Sequence, residues 1–80
     1  MSQNVLSVAQ ALNLYATFIN EQITRTSPAF RNRAVLVVTD PRGGMVSLSY
    51  PQMLGEVQRQ TDLGVNQAIL HAQARGYVVA

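Results

Sequence analysis

Apolar positions along this chain follow two different periods. From Asn4 to about Arg25, residues Val5, Val8, Ala9, Leu12, Tyr15, Ala16, Ile19 and Ile23 recur at the i, i+3, i+4, i+7 spacing of one helical face. Ser2 or Asn4 is placed to cap the start, and Pro28 behind Thr26-Ser27 sets the latest end. Beyond residue 33 the period changes to two. Ala34 to Thr39 and Met45 to Tyr50 are β-branched and apolar runs, and Asp40-Pro41-Arg42-Gly43-Gly44 between them carries turn chemistry. Pro41 presets φ, the Asp40 carboxylate can bond backbone ahead of it, and a glycine takes positive φ where the chain reverses. The pattern predicts a β-hairpin with the first helix laid on it, because a two-stranded hairpin alone is barely stable in water. Both faces of the first strand are apolar, Ala34, Leu36 and Val38 on one and Val35 and Val37 on the other. The second strand alternates, with Val46, Leu48 and Tyr50 against Met45, Ser47 and Ser49. Something must therefore cover the back of the first strand, either the C-terminal helix or another chain.

The connection over residues 26–33 is polar, with Phe30 expected to anchor it against the core. Ser49 stands three residues before Gln52, the spacing of a capping box, and Pro51 is tolerated in a first turn. Met53, Leu54 and Val57 form the inner face of the helix that follows. Leu54, Val57, Thr61, Val65, Ala68 and Ala72 can continue that face along one helix to Arg75, with Gly55 and Gly64 each costing about 1 kcal/mol relative to alanine. The preferred reading is a break, with Thr61 or Asp62 capping a separate helix. Gly76 after Arg75 is a stop signal. Tyr77-Val78-Val79-Ala80 is then a short apolar extended segment, expected to pair with the open edge of residues 34–39 in its own subunit or a neighbour's. The fold class is α+β: an N-terminal amphipathic helix packed on a two-stranded β-hairpin, one or two further helices and a short C-terminal extended segment, in a single small domain over residues 1–80.

At 80 residues the core is near the lower limit for folding without a metal, a disulfide or a partner. Charged residues are 12% of the chain against 48% hydrophobic, about half the usual charged share, which implies that part of the surface is covered. All six basic residues are arginine. Four of them against one aspartate leave residues 25–42 at +3, and two against three carboxylates leave the rest at −1. The first twenty residues carry no charged side chain, yet they lack the basic start of a signal peptide, and Ser7, Gln10 and Asn13 interrupt the apolar run before spanning length. No Lys or Arg precedes Arg25 to hold an interfacial helix on a membrane. The expectation is a protein with no membrane partner, cytoplasmic or incorporated in a particle.

Candidate chemistry is sparse. There is no cysteine, and the single histidine, His71, lies in an alanine-rich helical stretch without an orienting partner nearby, so it reads as a surface or packing residue. Glu21, Asp40, Glu56 and Asp62 fall on different elements, and Gly43-Gly44 lacks the surroundings of a phosphate loop. No catalytic, metal or cofactor site is expected, and the chain reads as no enzyme. The more informative residues are Leu14 and Phe18, which point roughly opposite the main helical stripe and touch each other at i, i+4. They are either covered by the C-terminal tail or form a subunit contact; the small core and low charge favour the contact. The expected protein interface is Leu14, Phe18, Tyr77, Val78 and Val79, with Arg31, Arg33 and Arg42 as polar contacts.

Two resemblances bear on function. Asp62-Leu63-Gly64-Val65-Asn66-Gln67 resembles the turn and early recognition helix of phage Cro-type helix-turn-helix repressors. That resemblance implies Gly64 as the turn residue and Asn66, Gln67, His71 and Arg75 on the DNA-reading helix. The order helix, connector, hairpin, helix is similar to that of the small head-to-tail joining proteins of tailed phages, which implies ring assembly and contacts to other virion proteins. The leading expectation is a non-catalytic structural or assembly module, a homo-oligomeric component of a larger complex such as a phage virion or other mobile-element product. A small helix-turn-helix DNA-binding regulator is the alternative, and an adaptor or inhibitor binding a larger protein is a third reading.

Overall fold

The computed structural model of the protein describes residues 4–31, 33 and 36–80, with backbone alone at Arg31. In chain order its elements are β1 (Val5–Leu6), α1 (Val8–Arg25), α2 (Pro28–Arg31), β2 (Leu36–Thr39), β3 (Met45–Leu48), α3 (Tyr50–Gln58), α4 (Asp62–Ala74) and β4 (Val78–Val79). This is the α+β arrangement that the sequence predicts, with a long N-terminal helix, an antiparallel hairpin, further helices and an extended C-terminal segment.

The first helix begins later than its periodicity implies. Ser7 is the N-cap, and a reciprocal capping box closes it: the Ser7 hydroxyl accepts from the Gln10 N–H at 3.1 Å, and Gln10 Oε1 accepts from the Ser7 N–H at 2.9 Å. Asn4 is thus not the cap, and Ser2 lies outside the described residues. Val5 and Leu6 leave the helix for β1, and Val8 and Ala9 are exposed. The buried face of α1 is Ala11, Leu12, Tyr15 and Ile19.

In the hairpin, β2 and β3 pair Leu36 with Leu48, Val37 with Ser47, Val38 with Val46 and Thr39 with Met45. The turn uses the predicted chemistry. Asp40 Oδ1 accepts from the Arg42 N–H at 2.8 Å, the Gly43 N–H donates to the Asp40 carbonyl at 2.8 Å, and Gly43 sits at φ +96°. Ala34 and Val35, expected in the first strand, lie outside the described residues. The connector contains the single helical turn α2. Phe30 is 55% exposed, so it does not anchor the connector in the core; the Arg33 guanidinium lies 5.1 Å from its ring centroid instead.

The second half divides at Thr61, as preferred from the sequence. Ser49 and Gln52 form the capping box of α3, and Arg59, then Gln60 at φ +52°, end it. Thr61 caps α4, its hydroxyl accepting from the Gly64 N–H at 3.1 Å and donating to the Glu56 carbonyl at 3.3 Å. The small residues Gly64, Ala68 and Ala72 form the buried stripe of α4, which brings it close to α1 and α3. Leu12, Tyr15, Ile19, Val38, Met53, Val57 and Ala68 make one core cluster, so α1 meets the hairpin there, with α3 and α4 as its broadest partners.

The tail pairs differently from the expectation. Gly76 at φ +90° turns the chain after α4, and β4 then runs parallel to β1, Val5 beside Val78 and Leu6 beside Val79. The Val78 N–H donates to the Asn4 carbonyl and the Ala80 N–H to the Leu6 carbonyl, each at 2.9 Å. Because α4 ends beside the start of α1, the tail meets the N-terminal segment before it can reach the hairpin edge.

Candidate functional site

The residues expected at an interface divide into covered and open sets. Phe18 is half-buried because α4 lies over it. The His71 ring stands 4.9 Å, centroid to centroid, from both Tyr15 and Phe18, tilted 35° to each, and the Arg75 guanidinium lies 5.4 Å from the Phe18 centroid. The Tyr15 and Phe18 rings are themselves nearly parallel, with centroids 6.3 Å apart. Leu14 is half-buried in a shallow groove of about 300 Å³ that it lines with Leu6, Gln10, Asn13, Thr17 and Tyr77. The rear of α1 is therefore covered in part by α4 and the tail of its own chain, the alternative that the sequence left open. The α1 arc is wide because two helices pack on it where periodicity alone implied a single covered stripe.

The tail is half open. Tyr77 and Val79 are partly buried, while Val78 and its neighbour Val5 face out. Arg33 and Arg42 are exposed, Arg42 at the hairpin tip; the Arg31 side chain lies outside the described residues.

The hairpin's outer face is open. Leu36, Val38, Val46 and Leu48 point to the core, and Val37, Thr39, Met45 and Ser47 point away from it. Val37 is 65% exposed and Met45 67%, diagonal to each other across the strands, Val37 opposite Ser47 and Met45 opposite Thr39. Among the described residues nothing covers the back of β2, and no further strand pairs with either hairpin edge. The signal was present in the doubly apolar first strand, but the sequence does not say whether α4 or a second chain covers it.

The helix-turn-helix register implied by the resemblance is not the one adopted. Gly64 lies inside the first turns of α4, and the reversal between α3 and α4 falls at Arg59 and Gln60. Gly64 serves close approach: a Cβ there would stand 2.8 Å from the Val57 nitrogen and nearer still to the Glu56 carbonyl. Asn66 and Gln67 are half-buried in the second turn of α4, His71 faces α1, and Arg75 donates its Nε–H to His71 Nε2 at 2.9 Å.

Two titrating groups are displaced. Burial, then the neighbouring Tyr50, raises the Tyr15 phenol above its ordinary value. Burial, then the Arg75 charge, lowers the His71 imidazole below its own. Among the described residues no cluster of His, Asp or Glu can hold a metal ion, and no helix is long and apolar enough to cross a membrane. No family model, curated protein or solved structure matches the chain.

Proposed function

We propose that this protein is a non-catalytic assembly module, a homo-oligomeric component of a larger complex, that joins its neighbours through the outer face of the hairpin. The observation carrying this reading is the open outer face of the hairpin, where Val37 of β2 and Met45 of β3 keep about two-thirds of their surface in water, at 65% and 67%. A strand apolar on both faces needs cover on both, and α4, the intramolecular candidate, is packed on α1 and α3 instead. A four-residue face is small against the roughly 800 Å² per partner of a stable interface, so the contact must extend beyond it. Phe30 and Arg33 supply that extension: both are exposed, and Arg33 precedes β2 by three residues, at most roughly 11 Å of chain. Open hairpin edges add backbone donors and acceptors suited to strand addition. The order of elements, similar to that of phage head-to-tail joining proteins, agrees with a ring or layered assembly.

Light scattering on the full chain tests the reading. Wild type is expected as a discrete oligomer, and Val37→Glu with Met45→Glu as a monomer with an unchanged far-UV circular dichroism spectrum. A monomeric wild type at tens of micromolar, or an oligomer that survives both substitutions, overturns it.

A further inference from the structure

We infer that His71 and Arg75 form an acid-sensitive latch that holds the C-terminal end of α4 and the β1–β4 pair against α1. The geometry admits one protonation state. Arg75 Nε–H donates to His71 Nε2 at 2.9 Å, so Nε2 must carry its lone pair and the imidazole is neutral with its proton on Nδ1. A second proton would place a donor on Nε2 facing a donor on Arg75, and two positive charges side by side. The observed contact and the imidazolium exclude each other.

The contact lies within one turn of α4 at its exposed edge, and the protein groups around the ring offer the imidazolium little in exchange. From α1 it meets the rings of Tyr15 and Phe18, from α4 itself only Arg75. Nδ1 is buried and has no hydrogen-bond partner, and among the described residues no carboxylate is paired with the ring. Tyr50 of α3 acts on Tyr15 rather than on His71. The aromatic faces return some cation–π attraction, but Arg75 already draws on Phe18 in the same way.

The latch reaches the chain end through short covalent and hydrogen-bonded links. Arg75 is the C-cap of α4; the Gly76 N–H donates to the Gln73 carbonyl at 3.0 Å and the Tyr77 N–H to the Ala72 carbonyl at 3.1 Å. Val78 and Ala80 follow at once with their bonds to Asn4 and Leu6. Expelling Arg75 from His71 loosens this end first and uncovers Phe18 and the groove at Leu14 and Tyr77. The inference stands on observations separate from the hairpin face and survives if that reading fails.

The experiment is an NMR titration of the isotope-labelled full chain from pH 7.5 to 4, in which the single histidine makes assignment unambiguous. The Val78 and Ala80 amides are expected to shift with the same midpoint as the His71 ring. Their exchange protection should fall at least tenfold while the Met53 amide, bonded to Ser49 in α3, keeps its own. His71→Gln, which retains an acceptor and cannot titrate, should abolish the response, and Arg75→Ala should move the His71 midpoint upward. Tail amides indifferent to the His71 titration overturn the inference, as does an acid response that persists in His71→Gln.

Discussion

Replacing Gly64 by alanine separates helix propensity from helix packing, because the two effects oppose each other there. In an isolated helix the change stabilises by about 1 kcal/mol. In this protein the added methyl meets the α3 backbone, 2.8 Å from the Val57 nitrogen and closer to the Glu56 carbonyl. Neither atom can turn aside as a side-chain tip does. The helices must part by several tenths of an ångström, disturbing the Thr61 bonds to Glu56 that join them. Overpacking of this kind costs roughly 1–3 kcal/mol and occasionally more. With backbone on one side and the buried Ala68–Ala72 stripe continuing the contact, the upper part of that range applies, leaving a net loss of about 1–2 kcal/mol. In a domain of this size that lowers Tm by about 5–15 °C. Gly55→Ala is the internal control: its methyl would meet only the Arg59 side chain, at 3.4 Å, and that chain can move, so a gain of up to about 1 kcal/mol is expected. Thermal denaturation of both variants measures the contrast. A Gly64→Ala protein melting at or above wild type refutes the packing argument.

Ser49→Ala should cost about 1 kcal/mol and Ser7→Ala about half of that, although both serines close the same capping box, because Ser49 is buried and Ser7 is bathed in water that replaces its bond; urea titration of the two variants ranks them. Stability should also depend on His71. Its folded pKa lies below the ordinary 6.5, so between the two values the unfolded chain binds more protons. The His71 contribution is then fully present above about pH 6.5 and declines as pH falls toward the folded value. Urea midpoints between pH 7.5 and 4.5 should slope downward in wild type and lose that part of the slope in His71→Gln.

Elements fixed by neighbouring residues were legible in the sequence. Asp40 through Gly44 dictates its turn within five residues, Ser49 and Gln52 complete a capping box within four, and Thr61 caps α4 by reaching Gly64. Where the outcome depended on which distant element arrives, the pattern was ambiguous. Val5 continues the helical period of α1, yet with Leu6 it becomes a strand because β4 arrives beside them and its amides bond the Asn4 and Leu6 carbonyls. Ser7 and Gln10 held a local signal for that boundary, a capping box, obscured by the apolar stripe running through it. Phe30 is large and apolar, and nothing in its flanks says that an arginine will stack on it while the core closes without it.

The same distinction decides which apolar side chains remain available to a partner. Helical geometry placed Leu14 and Phe18 outside the main stripe, but a helix can be covered from more than one side, and α4 settles onto that flank with His71 and Arg75 against Phe18. A hairpin has only two faces, and the turn, the register and the capping box of α3 commit one of them to the core. The other cannot rotate inward without taking Val38, Leu36, Val46 and Leu48 out, since a one-residue slip exchanges every side chain between faces. Covering Val37 and Met45 therefore requires material from beyond the described fold. Unlike the flank of α1, whose cover depends on the latch at His71, that requirement holds at any pH at which the hairpin stays folded.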